Sequence, residues 1–286
     1  MSDFWKLKNV FITGCSGFLG YWLSEHLLKE GANVVGLVRD FVPQSSFYRF
    51  RLNERITVIR GKVEEYPLLE RILNEYEIDT VFHLAAQTIV EIANRSPLST
   101  FETNIQGTWN LMEACRSTHP LVKRIVASTF FSTYKLPVCC TRCGNFYGGG
   151  DLNFNRIVSG TIRSVLHNKP VEIRSDGTPK RDYIYIKDAV SAYSALAEHM
   201  EERNVFGEAF NFSGGKPLSV LDITTAVLAL MDKKDHPVEI LNHSSGEIKD
   251  QYLSIEKAKK ILDWSPHYSI EDGLRETIDW YQDFFG

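Results

Sequence analysis

The sequence has few cysteines, no long apolar run and little net charge, and each of these absences excludes a class of protein. Its 286 residues contain five cysteines, an odd and low number for a disulfide framework. No apolar run approaches the roughly 20 residues that a membrane-spanning helix needs. The net charge of −4 comes without a block of like charge that would attract nucleic acid or an anionic membrane. We therefore expect reduced thiols and neither a nucleic-acid nor a membrane partner.

The amino-terminal residues also lack the apolar stretch of a secretory signal peptide. Residues 5–8 lead directly into a short apolar run at 10–12 and a glycine turn, so we expect a cytoplasmic protein. The pair Cys140-x-x-Cys143 has half of the spacing of a zinc site, but no second pair of ligands accompanies it. We expect these two cysteines to be buried structural thiols, and we predict no metal site.

What the sequence does contain is the alternation of strands and helices that is typical of α/β proteins. Short β-branched runs alternate with amphipathic helical patterns, which predicts a Rossmann-like fold with a doubly wound parallel sheet. The predicted crossover helices are residues 18–29 and 100–116. The predicted strands are residues 10–13, 34–38, 56–59, 81–84, 125–127 and 138–142.

The pattern loosens at Gly148-Gly149-Gly150, and we predict that a second, smaller domain begins there. A helix is expected at residues 157–166 and a hairpin-like turn around Asp176-Gly177. Two later helices are expected to start at Ser-x-x-Asp boxes, Ser219 to Asp222 and Ser269 to Asp272. In such a box the hydroxyl and the carboxylate cap backbone amides of the first turn.

The strongest motif is Gly14-Cys15-Ser16-Gly17-Phe18-Leu19-Gly20, which follows the first predicted strand and opens the first predicted helix. The first glycine permits a tight turn, the second lets the backbone approach a pyrophosphate, and the third lets the helix pack closely. Free amides at the helix start favour an anion. The second strand ends at Arg39-Asp40, where an acid favours a ribose hydroxyl and an Arg favours a 2′-phosphate. The motif predicts a dinucleotide site, with NAD and NADP both open.

The glycine spacing resembles that of the extended short-chain dehydrogenase/reductase superfamily, the NAD-dependent epimerases and dehydratases of nucleotide sugars. Four further stretches of the chain resemble motifs of that family. They are His83-Leu84-Ala85-Ala86-Gln87, Asn104-Ile105-Gln106-Gly107-Thr108, Arg142-Cys143-Gly144-Asn145-Phe146-Tyr147-Gly148, and the segment Asp176-Gly177 with Arg181-Asp182-Tyr183 and Asp188. The resemblance covers nearly the whole chain.

The resemblance implies NAD as cofactor, with NADP not excluded, and it implies the residues that bind it. These are Gly14, Ser16, Gly17, Phe18, Leu19, Gly20, Arg39, Leu84, Ala85, Ala86, Gln87, Asn104 and Ser128. It also implies a dinucleotide-binding domain of residues 1–147 that takes back about 183–213. Residues 148–182 and 214–286 would form the substrate-binding domain.

On the substrate side, several stretches are similar to the CDP-glucose 4,6-dehydratases, among them Gly149-Gly150-Asp151-Leu152-Asn153-Phe154-Asn155-Arg156. The resemblance implies a nucleotide-sugar substrate held by Asn145, Asn155, Arg156 and Arg181, with Arg181 on the phosphates. Thr129 would hold the C4 hydroxyl of the sugar. A homodimer is implied as well, weakened if one of its helices is missing, with an apolar patch left exposed.

Two departures stand out inside the matching segments. Lys62 stands where the family usually has an Asp that contacts adenine. The catalytic Tyr-x-x-x-Lys pair has one match, Tyr183 to Lys187, in a segment that alternates like a strand. Four strand residues span roughly 13 Å, against about 6 Å across a helical turn, so that Lys could not tune that Tyr.

The missing segment can be located by counting. Residues 124–142 provide 19 positions from the start of one predicted strand to the end of the next, whereas a βαβ unit takes roughly 30 or more. Either the chain lacks the catalytic helix after Thr129, or the natural protein has residues that this sequence omits. The leading function is a nucleotide-sugar 4,6-dehydratase, a lyase. The alternatives are a catalytically inactive NAD- and nucleotide-sugar-binding module and a nucleotide-sugar 4-epimerase.

Overall fold

The computed structural model, which describes residues 3–118, 121–126, 135–243 and 248–286, contains a seven-stranded sheet. Its strands are β1 (Asn9–Thr13), β2 (Asn33–Val38), β3 (Thr57–Arg60), β4 (Thr80–His83), β5 (Arg124–Val126), β6 (Val138–Cys143) and β10 (Ala209–Phe212). The strand order is β10-β6-β5-β4-β1-β2-β3, and the pairs β1–β2, β1–β4, β2–β3, β4–β5 and β5–β6 are parallel.

The remaining strands form two small sheets. In the larger one, β9 (Lys180–Tyr185) pairs with β11 (Pro217–Ser219), β13 (Asp250–Gln251) and β7 (Asn145–Tyr147). In the smaller one, β8 (Val171–Ile173) and β12 (Val238–Ile240) are parallel. The chain divides into two compact units, the first of Met1–Thr141 and Tyr193–Ala209 and the second of Arg142–Ala192 and Phe210–Gly286.

The helices alternate with the strands along the chain. They are α1 (Phe18–Lys29), α2 (Ser46–Arg49), α3 (Tyr66–Glu75), α4 (Val90–Arg95), α5 (Pro97–Phe101), α6 (Gly107–Ser117), α7 (Ile157–Leu166), α8 (Ile186–His199), α9 (Val220–Leu230), α10 (Glu256–Leu262) and α11 (Ile270–Phe285). A π-helical segment, Glu102–Gln106, joins α5 to α6. None of the helices in the described part of the chain is both long enough and apolar enough to cross a membrane.

The core of the first unit lies between the sheet and two helices on one face. Phe11, Val81 and Ile125 from three neighbouring strands pack with Ile72 of α3 and Leu111 of α6, and all five are fully buried. Near-continuous apolar strands are typical of a parallel sheet covered on both faces. Burial of such side chains is the main contribution to the stability of this unit, at about 1.5–3 kcal/mol for each large residue.

Most of the predicted elements are confirmed, several with their exact bounds. The predicted helices at 18–29 and 157–166 are α1 and α7, and the predicted strand starts lie within one residue of the observed ones. Both serine boxes are confirmed, because Ser219 and Ser269 each accept a hydrogen bond from the amide of the Asp three residues on. Residue 127 of the fifth predicted strand lies outside the described residues.

Residues 100–116 are helical throughout, as predicted, but residues 102–106 within this range are π-helical, which a residue pattern cannot show. The prediction of a hairpin, by contrast, is wrong. The hairpin expected around Asp176-Gly177 is a turn between strands of different sheets, since β8 pairs with β12 while β9 pairs with β7, β11 and β13. Gly177 still has a positive φ of 84°, as a turn glycine should.

The connection from β5 to β6 is unusually short for parallel neighbours. Ile125 pairs with Val138 and Val126 with Cys139, so the two strands lie side by side. Eleven residues, 127–137, join them. Parallel strands usually need a crossover of a dozen or more residues, and a βαβ unit with its helix takes roughly 30 or more. This chain has no room there for a crossover helix of ordinary length.

Candidate functional site

The loop between β1 and α1 is shaped by close backbone contacts at its glycines. Gly14 has a φ of +74°, and a Cβ there would lie 2.9 Å from the amide nitrogen of Ala85. A Cβ on Gly20 would lie 2.1 Å from the carbonyl oxygen of Gly14 and 2.7 Å from the Cα of Cys15. The first and third glycines are therefore required by contacts within the loop and with the segment after β4.

The start of α1 presents backbone amides at this loop. Gly17 is the N-cap residue, and within the described part of the chain no side chain caps the helix there. Four amides at a helix start have no partner inside the helix, and the helix dipole adds a partial positive charge. Ser16 and Phe18 flank Gly17 and are half-buried, while Leu19 is buried. These residues fit the pyrophosphate of a dinucleotide, because no side chain caps the amides at the helix start.

Cys15, inside the loop, is structural. Its side chain is fully buried, and its thiol contacts the carbonyl oxygen of Leu37 at 3.6 Å. Burial raises the pKa of Cys15 to about 12, so the thiol stays protonated and unreactive. Cys140 and Cys143 are half-buried rather than buried, which corrects the sequence prediction. Among the described residues no group of three His, Cys, Asp or Glu side chains could hold a metal.

His83, at the end of β4, connects the end of β1 to α6 through its two ring nitrogens. Nδ1 lies 2.7 Å from the Thr13 hydroxyl and Nε2 lies 2.9 Å from the Thr108 hydroxyl. The Thr108 hydroxyl donates its proton to the carbonyl of Asn104, so it must accept the Nε2–H of His83. Nδ1 then accepts a hydrogen bond from Thr13. Burial lowers the pKa of His83 to about 4, which keeps the ring neutral at pH 7.

The Thr13 hydroxyl also positions the backbone that follows β4. It accepts hydrogen bonds from the amides of Leu84 and Ala85, both at 3.2 Å. Leu84 and Ala85 are half-buried and Ala86 is exposed. In open α/β sheets ligands bind at the carboxyl ends of the strands where the strand order reverses, and β1 and β4 meet at that point here.

Asn104 fixes the next part of this segment. Its Oδ1 accepts a hydrogen bond from the Gln87 amide at 2.7 Å, and its Nδ2 donates to the Gln87 carbonyl at 3.0 Å. Asn104 lies in the π-helical segment, and such segments occur often at functional sites. Thr13, His83 and Thr108 were missed as positioning residues. The signal in the sequence is a single polar residue at the end of a strand, Thr13 in β1 and His83 in β4, while Thr108 lies in the first turn of α6.

The ends of β2 and β3 carry exposed charges. The Arg39 Nε lies 2.6 Å from the Asp40 carboxylate, and both side chains are about half exposed or more. Lys62 follows β3 and is exposed, and its backbone amide donates to Glu65. An acid and a base therefore both face the place where an adenosine ribose would lie.

The four predicted substrate residues all belong to the second unit. Asn145 starts β7 and pairs with Tyr183 of β9, the strand that also carries Arg181. The Asn155 side chain accepts a hydrogen bond from Arg174 at 2.7 Å, and Arg156 lies 3.5 Å from Asp151. Asn145 and Arg181 therefore lie on adjacent strands, and Asn155 and Arg156 are neighbours in the loop before α7.

Two acids of the family-like segment have structural roles in the second unit. The Asp182 carboxylate accepts a hydrogen bond from the Leu253 amide. The Asp188 carboxylate accepts hydrogen bonds from the amides of His267, at 2.8 Å, and Tyr268, at 3.2 Å. Burial raises the pKa of both acids. They hold later segments of the chain in place.

The one Tyr-x-x-x-Lys match, Tyr183 to Lys187, is divided between two elements. Tyr183 lies on β9, whereas Lys187 lies in the first turn of α8, so its predicted place on the strand is wrong. The Lys187 ammonium forms an ion pair with Glu276, which also accepts a hydrogen bond from Tyr185. Burial and Glu276 raise the pKa of Tyr185 above its usual range. Thr129 and Ser128 lie outside the described residues.

Comparison with known protein families agrees with this architecture. Residues 11–130 match the model of the GDP-mannose 4,6 dehydratases, and residues 125–212 match that of the NAD dependent epimerase/dehydratase family. The two models together cover residues 11–212, and over this range the chain is similar to the NAD-dependent epimerases and dehydratases. The two matches meet at residues 125–130, beside the short connection between β5 and β6.

Individual relatives include both epimerases and dehydratases. The UDP-glucuronate 4-epimerase of Thermodesulfobacterium geofontis is 28% identical over 316 residues, covering 94% of each chain. The CDP-glucose 4,6-dehydratase of Salmonella typhimurium is 26% identical over 339 residues, covering 98% of this chain and 92% of the relative. Both alignments are longer than this chain, so each relative has residues without a counterpart here.

A solved structure gives the same result for the fold. The UDP-glucuronic acid 4-epimerase of Bacillus cereus, in complex with UDP-glucuronic acid and NAD, superposes with a TM-score of 0.84 at 25% identity. The match covers 96% of this chain and 99% of the epimerase. The predicted family, the Rossmann-like fold and NAD as the cofactor of the family are confirmed. The relatives do not separate the dehydratase from the epimerase reaction.

Proposed function

We propose that this chain binds NAD at the loop between β1 and α1 and at the carboxyl ends of β2 and β4. The observation that carries the proposal is the crowding at Gly14 and Gly20, which keeps side chains out of the loop. The first amides of α1 would hold the pyrophosphate, and Asn104 would fix the Gln87 segment beside the cofactor. When bound, NAD supplies a hydride acceptor and donor.

The second ligand in this proposal is a nucleotide sugar, with CDP-glucose favoured. Arg156 and Arg181 carry guanidinium groups, which suit the bidentate recognition of phosphate oxygens. Asn145 and Asn155 add amide groups that can bind hydroxyls of a sugar or a base. The CDP-glucose 4,6-dehydratase of Salmonella typhimurium, aligned with 98% of this chain, supports this choice.

In a chain that carried the complete catalytic machinery, the reaction would be 4,6-dehydration, in which C4 is oxidised, water leaves across C5 and C6, and hydride returns to C6. Oxidation at C4 makes the C5 proton acidic, which is why a redox cofactor would serve a reaction without net redox change. Thr129 would hold the C4 hydroxyl, and Ser128 would lie beside the cofactor. The step also needs a Tyr and Lys pair to take the hydroxyl proton.

The described residues supply the binding part of this reaction, but the one Tyr-x-x-x-Lys match has its Tyr on a strand and its Lys on a helix. Lys187 is paired with Glu276, and the eleven residues between β5 and β6 leave no room for an ordinary crossover helix. We therefore expect the chain of 286 residues to bind NAD and CDP-glucose without turning the sugar over. The 4-epimerase reaction needs the same pair and is expected to fail for the same reason.

The test combines an intact mass with binding and activity measurements on one preparation. A mass near 32.7 kDa shows that the protein tested has the given sequence. We expect calorimetry to show binding of NAD and CDP-glucose, and we expect no 4-keto product from CDP-glucose or other nucleotide hexoses. Accumulation of a keto sugar would establish an active dehydratase, and conversion without one would establish a 4-epimerase. If the protein does not bind NAD, the proposal as a whole is wrong.

We also propose a weak homodimer through an apolar stripe on α5, the π-helical segment and α6. Leu98, Phe101, Ile105 and Trp109 follow one another at helical spacing and are 48% to 70% exposed. Sedimentation should show dissociation at micromolar concentration, and Trp109→Glu should leave only monomer. Tyr252→Glu, at another exposed aromatic, is the control. A tight dimer would contradict the weak association.

A cytoplasmic location is part of the proposal. All five cysteines are present as thiols, which suits a reducing compartment.

A further inference from the structure

A closed network of hydrogen bonds joins the segment after β4 to the start of α6. Its side chains and backbone groups each bind the next, and its members are Thr13, His83, Thr108, Asn104 and Gln87. The Thr108 hydroxyl donates to the Asn104 carbonyl at 2.8 Å, and the Asn104 side chain binds both backbone groups of Gln87. Thr13 closes the network, because its hydroxyl accepts two backbone amides of the same segment. The proposed cofactor segment and α6 are therefore parts of one network.

Between the two ends of this network runs a stretch of chain without buried side chains. It contains α4 and α5, and none of the described residues 91–102 is buried. At one end the Gln87 side chain accepts a hydrogen bond from the Ile89 amide at 3.1 Å, directly before α4. At the other end Asn104 fixes the π-helical segment. A segment with few buried contacts opens easily, so its order depends on these bonds at its ends.

The helical segment that belongs to the network also carries the exposed apolar stripe. Asn104 and Thr108 belong to the network, whereas the residues that follow them, Ile105 and Trp109, are 48% and 51% exposed. Residues four apart lie on one face of a helix, so the network and the stripe occupy adjacent rows of the same turns. The rest of the stripe lies on α5, within the stretch that has no buried side chain. Whatever orders the network therefore also orders the stripe.

We propose that NAD binding and self-association are coupled through this network, so that NAD strengthens the homodimer and the dimer binds NAD more tightly. The inference rests on the proposed NAD site and the proposed homodimer, and it adds the regulation of that site. Contacts of NAD with residues 84–87 restrict the segment, and a segment that is already ordered loses less conformational entropy when a second copy packs on it.

The coupling is reciprocal, because each ligand must change the affinity of the other by the same factor. We expect a factor of about five for each NAD molecule, which lies at the lower end of typical couplings. A dimer that holds two NAD molecules should then dissociate with a constant about 25-fold lower than that of the free dimer.

Sedimentation of the full chain tests the first half of the coupling. The dissociation constant of the dimer is measured without NAD and with saturating NAD. We expect the constant to fall by about 25-fold. A change of less than about twofold, or a weaker dimer with NAD, would overturn the inference.

Trp109→Glu separates ordering of the stripe from contact between two copies. In this monomeric variant, NAD should still slow the hydrogen exchange of the amides in residues 91–102. The variant should also bind NAD about fivefold more weakly than the wild type does at a concentration where the wild type is dimeric. Unchanged exchange in the variant with NAD bound would contradict the coupling.

Thr108→Val and a matched control assign the effect to the network. The substitution removes the hydroxyl between His83 and Asn104 and keeps a side chain of similar shape. The effect of NAD on the dimer should then drop from about 25-fold to less than about threefold. Thr100→Val removes a hydroxyl of α5 that donates to the Ser96 carbonyl at 2.9 Å, outside the network, and should keep the full effect. Equal effects of NAD in the two variants would show that the network is not the route.

The outcomes also separate this inference from the proposed function. If NAD binds and the dimer forms with an affinity that NAD does not change, the proposed function stands and the coupling is wrong. If NAD does not bind, or if the chain stays monomeric at every concentration, that part of the proposed function is wrong and so is the coupling.

Discussion

The carboxyl edge of the large sheet is built in two different ways. At the ends of β1 and β4, glycine backbone contacts and the hydrogen bonds of Thr13 and His83 fix each group in place. At the ends of β2 and β3, by contrast, exposed side chains such as Arg39 and Lys62 carry the chemistry. We therefore expect substitutions in the first region to change stability and ligand binding together. Substitutions in the second region should change which ligand is preferred and leave the fold intact.

The largest effect is expected for Gly20→Ala. The new Cβ would lie 2.1 Å from a backbone oxygen that cannot move without moving the loop. We expect a loss of about 3 kcal/mol in the free energy of unfolding, although Ala is the better helix former, and at least a hundredfold loss in NAD affinity. Urea unfolding and calorimetry measure the two quantities.

Gly215→Ala is the control for that substitution. Gly215 has a positive φ, unlike Gly20, which lies within α1, and a Cβ at Gly215 meets no atom within 4 Å. The substitution should cost only about 1–2 kcal/mol, for the left-handed backbone, and leave NAD binding unchanged. Equal effects of the two variants on stability and on NAD binding would contradict the role of crowding at Gly20.

The next largest effect is the change of stability with pH that His83 causes. Its pKa is lowered to about 4 in the folded protein, against 6.5 for the unfolded chain, so protons favour the unfolded state as the pH falls. The contribution of the neutral ring is complete above pH 6.5 and is lost between pH 6.5 and 4. This loss amounts to about 3 kcal/mol.

Comparison of the wild type with His83→Gln isolates that contribution. The variant should be less stable at pH 7, and its stability should fall less steeply between pH 6.5 and 4 in urea unfolding. Buried acids such as Asp188, whose pKa is raised, change stability in the opposite direction and cancel in the difference. An unchanged slope in His83→Gln would contradict the role of the enclosed ring.

A smaller effect is expected for Asn104→Ala. The substitution leaves the Gln87 amide and carbonyl without their partners, which should cost about 2 kcal/mol of stability. We expect weaker NAD binding as well, because the segment after β4 loses its anchor. Asn110→Ala, whose side chain donates to the Glu64 carbonyl, offers a comparison of similar cost without the loss of affinity. Unchanged NAD affinity in Asn104→Ala would remove this residue from the site.

The smallest effect on stability belongs to Arg39→Gln. Its ion pair with Asp40 is exposed on both sides, and such pairs contribute about 0–1 kcal/mol. Urea unfolding should therefore differ from the wild type by less than about 0.5 kcal/mol. Binding of NADP, whose 2′-phosphate an Arg at this position favours, should weaken all the same. A large loss of stability in Arg39→Gln would contradict the difference between the two regions, because side chains at the ends of β2 and β3 would then also hold the fold together.

Much of the fold could be predicted because its signals are local. The loop at Gly14, the bounds of α1 and the caps at Ser219 and Ser269 each depend on residues within a few positions of one another. The π-helical segment at Asn104 could not be predicted, since the apolar spacing around it fits an ordinary helix. Lys187 was placed on a strand because the residues before it alternate, while the helix begins at Ile186.

The sequence by itself determined the family, the parallel sheet, the phosphate-binding loop and the shortness of the connection between β5 and β6. These follow from periodicity, from glycine sterics and from counting, all of which act along the chain. Only the tertiary structure decided that His83 lies between Thr13 and Thr108 and that Lys187 is paired with Glu276. The physical reason is that sheet order and helix packing bring together residues far apart in the chain, and burial then selects the partner of each polar group.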